Sequence, residues 1–193
     1  MKARLAWIIS RILDLYTWSI IINVLFLINT GLNRLQITYF SLAFLLLEVI
    51  LPFLLYYFFR KRKLITDVDL SLRRQRPLYF FCLFLLVALG TLMGMVFGTR
   101  EFFLMQLTSL FLVGATTAIT LFWKISGHAM VTAAGVLFIN YFFAWRFWWL
   151  FFILIPVCWS RWYLHKHTPL QLLAGAILGT FLPMIILRLV GLF

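Results

Sequence analysis

Four ionisable side chains lie close together in an apolar part of the chain. The stretch SRWYLHKHTPLQLLAG, from Ser160 to Gly175, holds an arginine, two histidines and a lysine within seven residues, between two apolar runs. Ionisable groups at the ends of membrane helices are costly to desolvate, so they usually mark either a functional site or an interface anchor. The rest of the chain has to decide between these two interpretations.

Arginine and histidine are side chains that phosphate chemistry requires. The planar guanidinium group meets two phosphate oxygens at once, and Arg76 and Arg161 are our candidates for this task. Histidine can act as a nucleophile and as an acid near neutral pH, and the chain has three histidines, His128, His165 and His167.

The SGH sequence that contains His128 precedes a new apolar run. We expect the amides of Ser126 and Gly127 to open a helix at this point. The free N–H groups and the dipole at the start of a helix favour an anion, and a glycine lets the backbone approach it closely. Ser126 and Gly127 are therefore predicted to bind phosphate.

The composition predicts an integral membrane protein. The 193 residues are 65% hydrophobic and 11% charged, with a mean hydropathy of +1.05, whereas soluble domains are about 25% charged. The net charge of +12 is divided among short loops and forms no basic domain, so we expect no nucleic-acid partner. Cys82 and Cys158 each lie alone in an apolar run and indicate neither a disulfide nor a zinc site.

Apolar runs of about 20 residues can cross a bilayer as helices. We therefore predict an all-α fold, a polytopic transmembrane helix bundle of six to seven spans in one domain over residues 1–193. The predicted spans are 12–30, 38–59, 78–98, 102–123, 128–145, 147–162 and 169–190, of which the sixth is short.

The three polar clusters are separated by even numbers of predicted spans. Two spans separate Arg60–Pro77 from Trp123–Met130, and two more separate Trp123–Met130 from the cluster that begins at Ser160. An even number of crossings returns the chain to the same side, so all three clusters are predicted on one membrane face.

These clusters carry a resemblance to a known family. The chain has RP at Arg76 and Pro77, SGH at Ser126–His128, and SR followed after five residues by His167. In this order they resemble the KxxxxxxRP, PSGH and SRxxxxxHxxxD motifs of the type 2 phosphatidic acid phosphatase superfamily, membrane lipid phosphatases related to vanadium haloperoxidases. The resemblance covers about residues 60–180.

The resemblance implies roles for the two histidines. His167 would attack phosphorus and form a phosphohistidine, and His128 would protonate the leaving oxygen and then activate water. No metal and no cofactor is implied, because positive side chains supply the charge.

Three positions depart from the family motifs. Asp69 stands where the family has lysine, Ile125 replaces the proline of PSGH, and Gln171 replaces the final aspartate. The missing cation could be supplied by Lys124, Arg73 or Arg74.

The sequence leaves open which residue orients the ring of His167. Gln171, one helical turn later, can accept the same hydrogen bond as the family's aspartate. Alternatively, Asp67 or Asp69 takes over this task. We favour the aspartates, because two carboxylates in a very basic loop need an explanation, although pairing with nearby arginines on a surface turn is a simpler one.

Other polar or small residues have explanations besides catalysis. The AGAILG sequence of Ala174–Gly179 predicts close helix packing. His165 and the run Arg60–Lys63 are interpreted as interface and topology anchors. Glu48, in the second predicted span, either marks an ion path or pairs with a partner in the bundle.

The charge distribution bears on the side of the membrane. Of the 17 Lys and Arg residues, 13 fall on the motif side and four on the other side, namely Arg34, Arg100, Arg146 and Arg188. This excess favours a cytoplasmic motif side, whereas the resemblance implies an outward one. We expect an integral protein of a prokaryotic inner membrane with a cytoplasmic site, because the run Arg60–Lys63 has no catalytic explanation.

We therefore expect a membrane lipid phosphatase. Its substrate would be a lipid phosphomonoester or diphosphate of the phosphatidic acid, phosphatidylglycerophosphate or polyprenyl diphosphate type. A lipid phosphotransferase with the same histidine chemistry and a non-catalytic transporter or scaffold are the alternatives. The expected partners are this lipid and the bilayer, and the oligomeric state is left open.

Overall fold

The computed structural model describes residues 1–29 and 31–189, and within these ranges the chain is helical. The α-helices of these ranges are α1 (Lys2–Ile12), α2 (Leu15–Asn29), α3 (Arg34–Phe44), α4 (Leu51–Lys61), α5 (Arg76–Phe97), α6 (Arg100–Phe122), α7 (Gly127–Phe142), α8 (Leu154–Tyr163) and α9 (Pro169–Leu189). A π-helical segment, Leu45–Ile50, joins α3 to α4, and 3-10 helices precede α5 (Arg73–Gln75) and α8 (Trp148–Ile153). The predicted all-α fold is confirmed for the described residues.

Five helical stretches of the described residues are long and apolar enough to cross a membrane. They are Lys2–Asn29, Arg34–Lys61, Arg73–Phe97, Arg100–Phe122 and Pro169–Leu189. Helix α7 is apolar but has only 16 residues. These helices indicate a membrane protein, and the number of six to seven spans stays a prediction. The last residues of two predicted spans, 30 and 190, lie outside the described residues.

The sixth predicted span, 147–162, is not one α-helix. A turn follows α7, and the chain then forms the 3-10 helix Trp148–Ile153 before α8 begins. Ala144 and Trp145 in the turn have positive φ angles of 48° and 63°. A left-handed backbone cannot continue a right-handed helix, so α7 ends at Phe142, before the predicted end of the fifth span at 145. Hydropathy does not report this conformation.

The first predicted span, 12–30, begins too late and is interrupted. Helix α1 already starts at Lys2, and the chain leaves it at Leu13 before α2 begins. The carboxylate of Asp14 accepts the N–H of Thr17 at 2.8 Å. Asp14 therefore caps the start of α2, as an aspartate before an apolar run often does.

The chain divides into two compact units. The first comprises Met1–Leu25 and Lys124–Phe193, and the second comprises Phe26–Trp123. The organisation as one domain stays a prediction.

In the second unit, α5 and α6 form a helical hairpin. Thr91 of α5 donates a hydrogen bond to the backbone carbonyl of Gln106 in α6 at 3.2 Å. At the other end of the hairpin, the guanidinium of Arg73 donates to the carbonyl of Leu121. The residues that precede α5 therefore lie at the same end as the C-terminus of α6, as two crossings require.

The acidic residue of the second predicted span has a partner within its own unit. Gln106 Nε2 donates to Glu48 Oε1 at 3.2 Å. Of the two interpretations of Glu48, a carboxyl paired inside the bundle is therefore the one with an observed contact.

In the first unit, α7 and α9 pack with their backbones in close contact. A Cβ atom added at Gly175 would lie 2.5 Å from the carbonyl oxygen of Ser126, and one at Gly179 would lie 2.0 Å from that of Met130. Both pairs advance by four residues, so the two helices run parallel. The close packing predicted for AGAILG is confirmed. The two helices also begin at the same end, which brings the loop of His167 to the end of α7 that holds Ser126.

Candidate active site

The SGH sequence starts helix α7, as predicted. Ser126 is fully buried and is the N-cap residue, and its hydroxyl accepts the N–H of Ala129 at 3.4 Å. Gly127 and His128 are the first two helical residues. The N–H groups of a first helical turn have no carbonyl partner within the helix. The N–H of Ala129 is bonded to the Ser126 cap, and this end of α7 also carries the positive end of the helix dipole, which suits an anion.

Helix α9 begins with a capping box that includes Gln171. The hydroxyl of Thr168 accepts the backbone N–H of Gln171 at 3.4 Å, and Gln171 Oε1 accepts the backbone N–H of Thr168 at 3.2 Å. This reciprocal pair fixes both side chains at the start of the helix. The position of Gln171 is therefore set by local backbone geometry.

The same oxygen of Gln171 lies 3.2 Å from Nδ1 of His167. An amide can be placed either way round, but the bond from the N–H of Thr168 requires oxygen, not nitrogen, at this position. Nδ1 of a neutral His167 then carries the proton that it donates, and Nε2 keeps its lone pair. His167 is 6% exposed, so its ring is held in a buried setting.

Two further contacts join the starts of α7 and α9. The backbone N–H of Ser126 donates to the backbone carbonyl of Gln171 at 3.2 Å. The ammonium group of Lys124 donates to the carbonyl of Lys166. Since Lys166 precedes His167, this contact places a cation beside the loop that carries the histidine.

Arg161 lies in the last turn of α8 and is 1% exposed. Its Nη1 donates to the hydroxyl of Ser10 in α1 at 2.6 Å, and Ser10 is also buried. Sequence reasoning missed Ser10, because nothing local to α1 distinguishes this serine.

His165 lies in the loop between α8 and α9 and is exposed. Its backbone has a positive φ of 53°. An exposed ring agrees with the interpretation of His165 as an interface residue, and the contact with Gln171 distinguishes His167 from it.

In the second unit, Arg76 starts α5 and is 4% exposed. Its Nε donates to the carbonyl of Leu70 at 2.8 Å, and its Nη2 donates to the carbonyl of Asp69 at 3.5 Å. Arg76 therefore supports the preceding loop through backbone carbonyls. The residue at the lysine position of the family, Asp69, contributes to this contact with its backbone.

The carboxylate of Asp67 organises the same loop. It accepts the N–H of Asp69 at 3.1 Å and both the N–H and the hydroxyl of Ser71, the latter at 2.8 Å. A side chain that bonds to the backbone two and four residues later is typical of a turn. These contacts give Asp67 a structural reason to be in the basic loop.

Arg73 binds the carbonyls at the end of α6, those of Thr120 and Leu121. A cation at the C-terminus of a helix is favoured by the helix dipole. The observed contacts of Arg73 are therefore structural, and its binding of phosphate stays a prediction.

The C-terminal part of the chain is similar to a known family. Residues 117–192 match the model of the PAP2 superfamily. The match includes the SGH sequence and all of Ser160–Gly175, and it confirms the resemblance found in the motifs. No curated protein and no solved structure matches the chain.

The PAP2 superfamily consists generally of phosphatases, and the apolar helices of this chain fit a membrane phosphatase family. In the matched region, Gln171 stands at the position of the aspartate of the third motif and contacts the ring of His167. Ser10 and Arg76 both lie outside the matched residues.

The predicted site residues fall into the two units. The first unit holds Lys124, Ser126, Gly127, His128, Arg161, His167 and Gln171, and the second holds Asp67, Asp69, Arg73 and Arg76. Contacts join Ser126 and His167 to Gln171 in the first unit. The convergence of Arg76 on the histidines stays a prediction.

Proposed function

We propose that the protein is an integral membrane phosphatase that hydrolyses a phosphomonoester or diphosphate of a membrane lipid. The observation that carries the proposal is the contact of His167 Nδ1 with Gln171 Oε1, fixed by Thr168. It leaves Nε2 of a neutral ring as a nucleophile, in the part of the chain that matches the PAP2 superfamily. Phosphatidic acid, phosphatidylglycerophosphate and polyprenyl diphosphates are the candidate substrates.

The proposed reaction has two steps. Nε2 of His167 attacks phosphorus, the bond from phosphorus to the lipid oxygen breaks, and His128 gives that oxygen its proton. The products are a lipid alcohol, or a lipid monophosphate from a diphosphate, and a phosphohistidine. His128 then takes a proton from water, which attacks phosphorus and breaks the P–N bond, releasing inorganic phosphate.

Positive groups hold the transferred phosphoryl group. Buried Arg161 and the N–H groups at the start of α7 are the proposed donors, and Lys124 supplies a further charge near the histidine loop. Preorganised donors of this kind stabilise the charge of the transition state. Arg76 is proposed as a second guanidinium. Because these groups supply the charge, we propose that turnover needs no divalent metal.

We propose Gln171, not Asp67 or Asp69, as the residue that orients His167. Gln171 has an observed contact with the ring, whereas the carboxylate of Asp67 accepts hydrogen bonds from its own loop. This reverses the preference derived from the sequence. A neutral amide fixes the tautomer of the ring but does not stabilise its imidazolium form. An aspartate would do both.

The charge distribution supports a site on the cytoplasmic face of a prokaryotic inner membrane. With the seven spans predicted from the sequence, four of the 17 Lys and Arg residues fall on the side opposite to the motifs, namely Arg34, Arg100, Arg146 and Arg188. Placed there, the enzyme would meet lipid phosphates in the cytoplasmic leaflet.

The test is the release of inorganic phosphate by the purified protein from a panel of lipid phosphates in mixed micelles. We expect release from at least one lipid in excess chelator, and none from His167→Ala. A lipid alcohol is included as acceptor, since a phosphotransferase would form a new lipid phosphate instead. No release and no transfer from any substrate would contradict the proposal, and full loss in chelator would contradict the metal-independent chemistry.

A further inference from the structure

Helix α1 lies outside the residues that match the PAP2 superfamily, yet it contacts the arginine of the third motif. Nη1 of Arg161 and Oγ of Ser10 are 2.6 Å apart, although 151 positions separate the two residues. Arg161 is 1% exposed and Ser10 is 2% exposed. The contact is therefore buried, and water does not compete for it.

Small residues bring α1 close to α8. Ala6 and Ser10 are one helical turn apart and form the buried face of α1, with 0% and 2% exposure. Leu5, Ile8 and Ile12 are exposed. The burial of this face against α8 sets the position of the Ser10 hydroxyl.

The chemistry of the pair fixes which group donates. A guanidinium group has five N–H donors and no acceptor, so the oxygen of Ser10 accepts the bond. Hydrogen bonds in which one partner is charged are shorter and stronger than neutral ones, and 2.6 Å agrees with this. Ser10 thus holds one end of the Arg161 guanidinium group by a charge-assisted hydrogen bond.

We propose that Ser10 is a positioning residue for Arg161, so that α1 completes the site for the transferred phosphoryl group. This inference rests on the proposed function, because it takes Arg161 as a phosphate ligand. The anchored guanidinium is already oriented when an anion arrives. Without Ser10, part of the binding free energy would be used to order a long side chain.

The experiment compares Ser10→Ala with Ser10→Thr, which keeps the hydroxyl. Phosphate release and inhibition by orthovanadate, a phosphate analogue, are measured for both. For Ser10→Ala we expect kcat/KM to fall about tenfold and the inhibition constant of orthovanadate to rise about tenfold, as the loss of one charge-assisted bond implies. In Ser10→Thr, both values should stay within about threefold of those of the wild type.

A matched control removes a hydroxyl of the same unit. The hydroxyl of Thr180 in α9 donates to the carbonyl of Ala176 at 2.9 Å, a bond within one helix. Thr180→Val should leave kcat/KM and orthovanadate inhibition unchanged. Thermal unfolding of each variant in detergent shows whether Ser10→Ala acts through stability instead.

A double-mutant cycle with Arg161→Lys separates positioning from packing. If Ser10 acts through Arg161, Ser10→Ala should have little further effect on orthovanadate binding in the Arg161→Lys background. Equal effects in both backgrounds, or an unchanged kcat/KM and inhibition constant in Ser10→Ala alone, would overturn the inference.

Failure of the proposed function has a different signature. A wild-type protein that releases no phosphate would refute the phosphatase activity. Orthovanadate binding, followed through tryptophan fluorescence, would then still decide the role of Ser10. Weaker binding to Ser10→Ala would support it, while equal binding, or no binding to wild type, would refute it.

Discussion

Replacing Gly179 with alanine should disturb the site through the packing of α7 against α9. The added Cβ would lie 2.0 Å from the carbonyl oxygen of Met130, and 2.7 Å from the carbonyl carbon. Both are backbone atoms, which no rotamer change can move. Since carbon and oxygen approach each other to about 3.3 Å, the helices must separate by about 1 Å at this point.

The separation acts on catalysis because the two helices begin at the histidines. A displacement of about 1 Å costs on the order of a hundredfold in rate, so we expect phosphate release by Gly179→Ala to fall by about this factor. Over-packing should also lower the free energy of unfolding by about 1–3 kcal/mol, of which the helix propensity of alanine offsets at most about 1 kcal/mol. Phosphate release and thermal unfolding in detergent measure the two effects.

Gly90→Ala is the matched control. A Cβ at Gly90 would meet its nearest atom, Gln106 Nε2, at 3.5 Å, an ordinary contact. The same substitution in α5 should therefore keep activity within about twofold and leave stability equal or higher. Wild-type activity and stability in Gly179→Ala would refute the close parallel packing of α7 and α9.

Other substitutions test the groups around the ring. His167→Ala should abolish phosphate release. Residual activity of even about 1% of wild type would argue against His167 as the nucleophile. Gln171→Leu should lower kcat about tenfold or more, because the tautomer of His167 is no longer fixed. Gln171→Asp should keep or raise activity. It should also move the acidic limb of the pH–rate profile to higher pH, because a carboxylate raises the pKa of a neighbouring imidazole. An unchanged profile would mean that residue 171 does not face the ring during turnover. The Asp67→Asn variant should release phosphate at a near-normal rate, and its free energy of unfolding should be lower by about 1 kcal/mol. A hundredfold loss of activity would return the orienting task to Asp67.

Residues close together in sequence allowed the best predictions. The four-residue spacing of Gly175 and Gly179 indicated close helix packing, and the step of four from His167 to Gln171 allowed a contact that stood as one of two alternatives. The first follows from helical periodicity, and the second follows from the capping box at the start of α9, and both lie within a few residues of each other in the sequence. The start of α7 at the SGH sequence was predictable because a new apolar run follows it.

Two breaks in the helices were missed for different reasons. Asp14 before an apolar run was a readable signal for the start of α2, since aspartate favours the N-cap position. The change from the 3-10 helix Trp148–Ile153 to α8 inside the sixth predicted span gave no such signal, because apolar and aromatic residues fill both kinds of helix in this region. Hydropathy measures the medium that a segment prefers and not its backbone conformation.

Ser10 could not be predicted from the sequence. Its partner, Arg161, lies 151 positions away, and a single serine in a helix most often has no functional contact. Only the packing of α1 on α8 joins the two. The sequence-based preference for Asp67 and Asp69 as orienting residues gave too little weight to a second use of a carboxylate. A carboxylate also stabilises a turn by accepting hydrogen bonds from nearby N–H groups.

Trapping of the covalent intermediate tests the central claim most directly. The purified protein is mixed with a lipid phosphate that carries a radioactive phosphoryl group, and the reaction is stopped by denaturation in alkali within one turnover. We predict a protein-bound phosphate that is stable in alkali, labile in acid and located on His167, and no such label on His167→Ala. Turnover of the same lipid without any covalent label, at a rate unchanged by His167→Ala, would contradict the account.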